Sequence, residues 1–363
     1  MNKKYELTNE TIIQNGVTLH RIRALVTINM DDFDIVPGTL GGFVESEQNL
    51  SNNGKSWIYG NAKVYDNAKV YGNAEVYGDA EVYDYAQVCG NAKVYGNAEV
   101  YGDAEVYGNA KVYGNASVLN NAEVYGYAQV YDDVKVYGNA EVYGNAKVYD
   151  EAEVYDNAEV YDNAKVYDNA KVCGNACVYD NAQVYENTYI YGSSQVFDNA
   201  EVFGSAKVCR NAKVYGNAEV YGDAFVRGNA QVYDRGSVLG NTEIYDNAQV
   251  YECGGISGYV KLYGNAKVYG DARVTSYIEI SGDATISKTT DIFIVGPITG
   301  PIENYFVFMK SNDDIIVSYK DIYFGSFFGS LKDLKIEIAK KYKTSCVASM
   351  LTNIIELAET YMV

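Results

Sequence analysis

The chain has 363 residues and a formal net charge of −19, with 38 Tyr against one His, one Trp and three Pro. Bias of this degree directs attention to internal repeats before anything else. Residues 1–57 and 291–363 carry −2 each and residues 58–290 carry −15, an acidic excess that disfavours direct binding to nucleic acid or anionic membrane, because neither partner's phosphates would be neutralised.

The start, "MNKKYELTNE", has no apolar signal core, and no run approaches membrane-spanning length, so a soluble cytoplasmic protein is expected. Residues 1–57 predict an N-terminal β cap of short strands, "GVTLHRIRALV" among them, and a lead-in loop "VPGTLGGFVE". Strand alternation in the first segment places His20 with Ile22 and Ala24 on one face and Leu19 with Arg21 and Arg23 on the other. A half-buried structural His20 is the expectation.

From Ile58 every sixth residue is Val, Ile or Leu as far as Ile286, giving 39 words without insertion or deletion. The residue two before each aliphatic is Ala in 30 of them, and Val134, Val260 and Ile278 are the large exceptions. One branched and one small inward position per six residues fit a short parallel strand and a tight corner. Gly, Asp and Asn supply the corner because they tolerate a left-handed backbone. A helix is excluded by the period of six and by the Val-Tyr and Gly-Asn content. Three words close one triangular coil of 18 residues, so residues 58–290 predict about 13 coils of β-solenoid. Residues 291–363 predict a C-terminal α+β domain, with strands at "YFVFMK" and "DIIVSYK" and helices near 331–342 and 346–361. Ser330 is the expected N-cap of the first helix, whose inner face is Leu331, Leu334 and Ile338. The "VGPITG" turn before it reads as a hinge, and both end pieces read as caps over exposed coil edges.

The pattern aliphatic-x-x-x-small-x resembles the hexapeptide-repeat, left-handed parallel β-helix family over about 230 residues. The flanks "LGGFVESEQNLS" and "FFGSLKDL" are similar to uncharacterised repeat proteins of bacteria and their prophages. The resemblance implies left-handed coils and frequent trimers. It also implies an acyltransferase in many members, with a coil-surface His as general base and loops that interrupt the coils. This chain has neither a coil His nor a loop insertion, and a general base titrating near neutrality is what that chemistry needs. A second enzymatic branch resembles carbonic anhydrase and would need three His for its metal. The six Cys (89, 173, 177, 209, 253 and 346) show no paired framework, and Cys89, Cys173, Cys177 and Cys209 stand on outward positions. They read as tolerated drift in a reducing compartment, and neither a metal nor another cofactor is expected.

The surface remains. Twenty-seven Tyr follow the aliphatic and form three outward ladders, which stabilise neighbouring strands through aromatic contact or offer a flat binding face. A row of Glu105, Glu123, Glu141 and Glu159 reads as a solvated face or as a surface for a basic partner. Toward the C-terminal end the Tyr ladders lapse at Arg227, Leu239, Ser257, Thr275, Ser281 and Ser287. That irregular end supplies the candidate ligand or partner surface: Arg227, Tyr245, Tyr263, Tyr269 and Arg273. The expected function is a non-enzymatic structural and interaction protein, a rigid acidic scaffold presenting its C-terminal domain or an aromatic face to a protein partner or to copies of itself, a trimer included. The alternatives are an acyltransferase-like or small-molecule-binding β-helix with a pocket at a subunit or domain interface, and a phage-type acidic decoy or anti-host factor.

Overall fold

The computed structural model describes residues 3–31, 33–295, 306–311, 314–321, 325–342 and 346–362. The chain is a parallel β-helix with a small helix-and-strand domain after it, and it divides into two compact units, Met1–Gly192 and Ser193–Val363.

In the first unit, strands β1 (Tyr5–Gln14) and β2 (Val17–Ala24) form an antiparallel hairpin. Asn15 and Gly16 turn it, both at positive φ (49° and 84°), the conformation a two-residue hairpin turn requires. β2 pairs next with Leu40–Val44, whose other edge pairs in parallel with Lys63–Val64, so the sheet changes from antiparallel to parallel there. The two faces expected around His20 are both covered: Ile22 and Ala24 are buried on one, and on the other Leu19 is buried with Phe43 and Tyr65 while the Arg21 guanidinium lies 4.2 Å from the centre of the Phe43 ring. His20 is half-buried, with Nδ1 3.1 Å from the Thr8 carbonyl oxygen.

Each word of the repeat contributes a two-residue strand paired in parallel with the strand 18 residues on. Lys93–Val94 pairs with Lys111–Val112, and Glu105–Val106 with Glu123–Val124. The aliphatic and the small residue both point inward; Val94, Ala98, Val100 and Ala104 have no exposed surface. Each fully buried Val contributes about 1.5–3 kcal/mol. Corners are left-handed, whether the residue is Gly126 (φ 69°) or Asp84 (φ 58°). The Asp84 carboxylate also accepts the backbone N–H of Gly102 at 3.1 Å, one coil on. That bond offsets the strain that a left-handed backbone imposes on a residue with a Cβ.

The outward side chains are bonded to the next coil. Tyr77, Tyr95 and Tyr113 stack face to face at 4.6 and 4.7 Å, and Tyr113, Tyr131, Tyr149, Tyr167 and Tyr185 continue at 4.8–5.1 Å. The Glu row is not simply solvated. Tyr107, Tyr125 and Tyr143 donate their hydroxyls to Glu123, Glu141 and Glu159 at 2.8, 2.8 and 3.0 Å, which answers part of the repulsion between stacked carboxylates. Nor is Cys173 exposed: it retains 5% of its surface and donates to the Tyr189 hydroxyl at 3.4 Å. Outward position does not mean accessibility where a neighbouring Tyr lies across a smaller residue.

The second unit begins with coils of the same kind, for example Lys213–Val214 paired with Gln231–Val232. In it Cys209 retains only 2% of its surface. Near its solenoid end two strands lengthen to eight residues, Gly255–Leu262 and Arg273–Ile280, in continuous parallel register. Val260 and Ile278, the large residues at the small position, pair there. A 3-10 turn at Thr289–Asp291 follows. Burial drives the Asp291 carboxyl pKa upward, but the Ser287 hydroxyl and N–H, the Lys288 N–H and the Lys310 ammonium outweigh it and hold the group below the usual range.

An antiparallel sheet then runs in the order Ile292–Val295, Phe306–Ser311, Asp314–Asp321, Gly325–Ser330. Helices α1 (Leu331–Lys341) and α2 (Cys346–Met362) pack on it around Phe308, Val317, Leu334, Ile338, Leu351 and Ala358. Ser330 caps α1 as expected, its Oγ accepting from the Asp333 N–H at 3.1 Å. Of "VGPITG" only Val295 lies within the described residues. Among the described residues, no helix is long and apolar enough to cross a membrane.

Candidate interaction site

All five residues of the candidate surface lie in the second unit, and three of them form one column. Arg227 follows Val226 where the repeat usually has Tyr. Its guanidinium carbon sits 4.4 Å from the centre of the Tyr245 ring and 5.4 Å from that of Phe225. A planar cation replaces a ring in the stack because guanidinium and phenol share a flat shape and attract through the ring's negative face. An Arg227 terminal nitrogen donates to Glu243 at 3.3 Å. Its Nε is buried with no hydrogen-bond partner.

Below Arg227, Tyr245 stacks on Tyr263 at 4.9 Å with the rings parallel to 1°. Tyr263 donates to Glu279 at 3.4 Å, and Lys261 lies 4.0 Å from the same carboxylate. The Tyr245 phenol is pushed up to about 12, first by burial and then by Tyr263, Glu279 and Glu243, with the Arg227 charge opposing. The Tyr245 ring stays neutral at any physiological pH, and the column offers cation, aromatic faces and carboxylates in one strip. Such a strip suits recognition of a partner's polar and planar groups.

Tyr269 belongs to another face, where it stacks on Tyr251 at 4.9 Å. Arg273 is folded back on its own strand layer. One terminal nitrogen donates to the Cys253 carbonyl and, at 3.0 Å, to that of Ala272, while a Cβ on Gly255 would lie 2.9 Å from the Arg273 Cδ. The two arginines are therefore not partners in one site. Sequence reasoning missed Tyr259 and Tyr277, stacked at 4.3 Å and about half exposed. The signal was present in Val260 and Ile278, whose bulk accompanies the long strands that carry the two rings.

The lapses at Ser281 and Ser287 have local reasons. Ser281 is buried, and the Ser287 N–H and hydroxyl both donate to Asp291 at 2.8 Å. A Tyr at either place would displace those arrangements.

Comparison with known proteins adds a narrow result. Residues 86–102 match a family described as the YdcK beta solenoid repeat. No curated protein matches the chain. Among solved structures, an Arabidopsis UDP-N-acetylglucosamine acyltransferase aligns at 16% identity and a TM-score of 0.27, over 53% of this chain and 69% of that one. At that similarity the alignment carries no inference about activity.

Proposed function

We propose that the chain is a non-enzymatic structural and interaction protein: a rigid acidic β-solenoid that presents the Arg227 column, with the C-terminal domain of the same unit, to a protein partner. The carrying observation is the way outward side chains are used. Along the repeats, phenols, carboxylates and carboxamides bond to the coil ahead, as in Tyr125 to Glu141 and Asn229 to Asn247. Side chains held in this way form a fixed surface, and little conformational entropy is lost when a partner docks on it. At Arg227 the bond to the coil ahead is kept, to Glu243, but a cation makes it in place of a phenol, so the column carries a charge that the Tyr rows lack. The free thiols of Cys89, Cys177 and Cys253 fit a reducing, cytoplasmic setting.

The test is a photo-cross-linking residue placed at position 263, followed by binding measurements with the purified partner. A single cross-linked protein whose affinity falls on Arg227→Glu supports the proposal. Turnover of acyl-CoA with an amine or sugar acceptor would defeat it, as would a partner indifferent to Arg227.

A further inference from the structure

In the first unit, corner residues spaced by 18 form carboxamide ladders. Asn73 donates to Asn91 and Asn91 to Asn109, at 3.0 and 3.1 Å. Asn121, Asn139, Asn157 and Asn175 continue the same arrangement at 2.9–3.1 Å. The corner series that holds Asn67, Asp103 and Asn121 has Tyr85 between the first two. A phenol ring does not bridge them. Among the described residues, Asn67 therefore lacks the ladder acceptor for its side-chain amide and Asp103 the ladder donor for its carboxylate, and the Tyr85 ring stands 62% exposed.

A second break lies beside the first. Glu123, Glu141 and Glu159 each receive a hydroxyl from the Tyr sixteen residues earlier. Glu105 would receive one from position 89, which is Cys. Its Oε1 accepts from Gln87 at 3.0 Å, and it lacks the phenol that engages Oε2 of Glu123, Glu141 and Glu159. Lys69 pairs across the coil with the neutral Gln87, whereas Lys63 and Lys93 pair with Glu81 and Glu75 and form ion pairs with them. The Tyr85 break thus leaves the Asn67 amide, the Asp103 carboxylate and one aromatic face outside the corner ladder, the Cys89 break leaves Glu105 without its usual phenol, and the Lys69 ammonium faces a neutral partner.

These groups line one groove of about 460 Å³, with Gln48 on its far wall. That wall is fixed: the neighbouring Asn49 donates to the carbonyls of Asp66 and Ala68, both at 3.0 Å, and Leu50 bridges to Val70. The groove is therefore preformed, as small-molecule sites usually are.

We propose that this groove binds carbohydrate, one pyranose ring of an oligosaccharide. A sugar hydroxyl both donates and accepts, so a ring of them matches a site in which Asn67 and Lys69 donate while Asp103 and Glu105 accept. The apolar C–H face of the ring meets the exposed Tyr85 face. An anion would meet two carboxylates, and a bare cation would meet the Lys69 ammonium; the mixed set favours a neutral polyol.

The experiment is calorimetric titration of the full chain with maltohexaose, cellohexaose and chitohexaose, with choline as a cationic control. The decisive variant is Tyr85→Asn, which removes the ring and puts back the residue that the corner ladders use elsewhere. Tyr127→Asn is its control, since Tyr127 is a corner Tyr of similar exposure (65%) that does not line the groove. At least one hexaose is expected to bind, with affinity reduced about tenfold or more by Tyr85→Asn and unchanged by Tyr127→Asn. Lys69→Ala and Asp103→Ala give the same reduction and keep the test open should Tyr85→Asn misfold. Failure of all three saccharides to bind, binding of choline alone, or equal binding by the parent and the groove variants overturns the proposal.

Discussion

The hydroxyl of Tyr107 donates to Glu123 across 2.8 Å, linking a ring on one coil to a carboxylate on the next. The same sixteen-residue reach recurs from Tyr59 to Glu75, from Tyr83 to Glu99 and from Tyr137 to Glu153. It ties the aromatic rows to the charged rows, so the two outward positions of a word act together. Tyr107→Phe keeps the stack on Tyr125 and removes only this bond. It is expected to destabilise the chain by about 0.5–1.5 kcal/mol, read as a shift of the chemical-denaturation midpoint at constant slope.

High pH attacks the same rows. Burial first, and neighbouring phenols second, push Tyr113 and Tyr149 up to about 12 from an ordinary value of 10.0. The folded state therefore holds its phenolic protons more tightly than the unfolded one. Its stability is fully present below pH 10 and is lost as pH rises from 10 through 12. Phenolate absorbance and β circular dichroism recorded together should change in one step over that window. Phenolate appearing at its ordinary pH with the fold intact would contradict the prediction.

The corners give a third expectation. Asp84 holds a left-handed backbone and accepts the Gly102 N–H. Asp84→Ala loses the bond and keeps the strain, at a cost of about 1–3 kcal/mol. Asp84→Gly loses the bond and relieves the strain, so it should melt closer to the parent than the Ala variant does.

Core size is fixed equally tightly. Ala140 is fully buried at the small inward position. Ala140→Leu inserts volume that no neighbour can yield, with an expected cost of about 1–3 kcal/mol. Val142→Ile should be milder, because that position already holds a branched side chain. Thermal melts of the two variants side by side check the order.

In the C-terminal domain, Ser330→Ala removes the cap of α1 and should cost about 0.5–2 kcal/mol. Hydrogen exchange then rises first at Asp333, whose N–H the serine oxygen accepts.

The solenoid was legible in the sequence because its register never slips: an inward position every six residues fixes period, corner and strand together. The stacking of the tyrosines was legible for the same reason, since equal spacing places like over like. The Tyr-to-Glu bonds were not, because they depend on how far a phenol leans along the coil axis, which spacing does not encode. Around the candidate site, the lapse at Arg227 marked a real departure in packing, whereas Arg273 was grouped with it only by nearness in sequence. Its side chain turns back because Gly255 opposite leaves room for it. The burial of Leu19 was not legible, because it depends on Phe43 and Tyr65 covering the arginine face of its strand.

The stacked rings also have an optical consequence. Seven consecutive tyrosines from Tyr77 to Tyr185 lie 4.6–5.1 Å from ring to ring. The chain's single tryptophan, Trp57, is fully buried in the same unit, with Tyr5 edge-on at 6.4 Å. Light absorbed by any of those phenols can hop along the row, and the indole is the one acceptor of lower energy available to drain it. Excited at the tyrosine band and watched at the tryptophan band, the protein carries its own luminescent gauge, in which loss of a single coil breaks the relay.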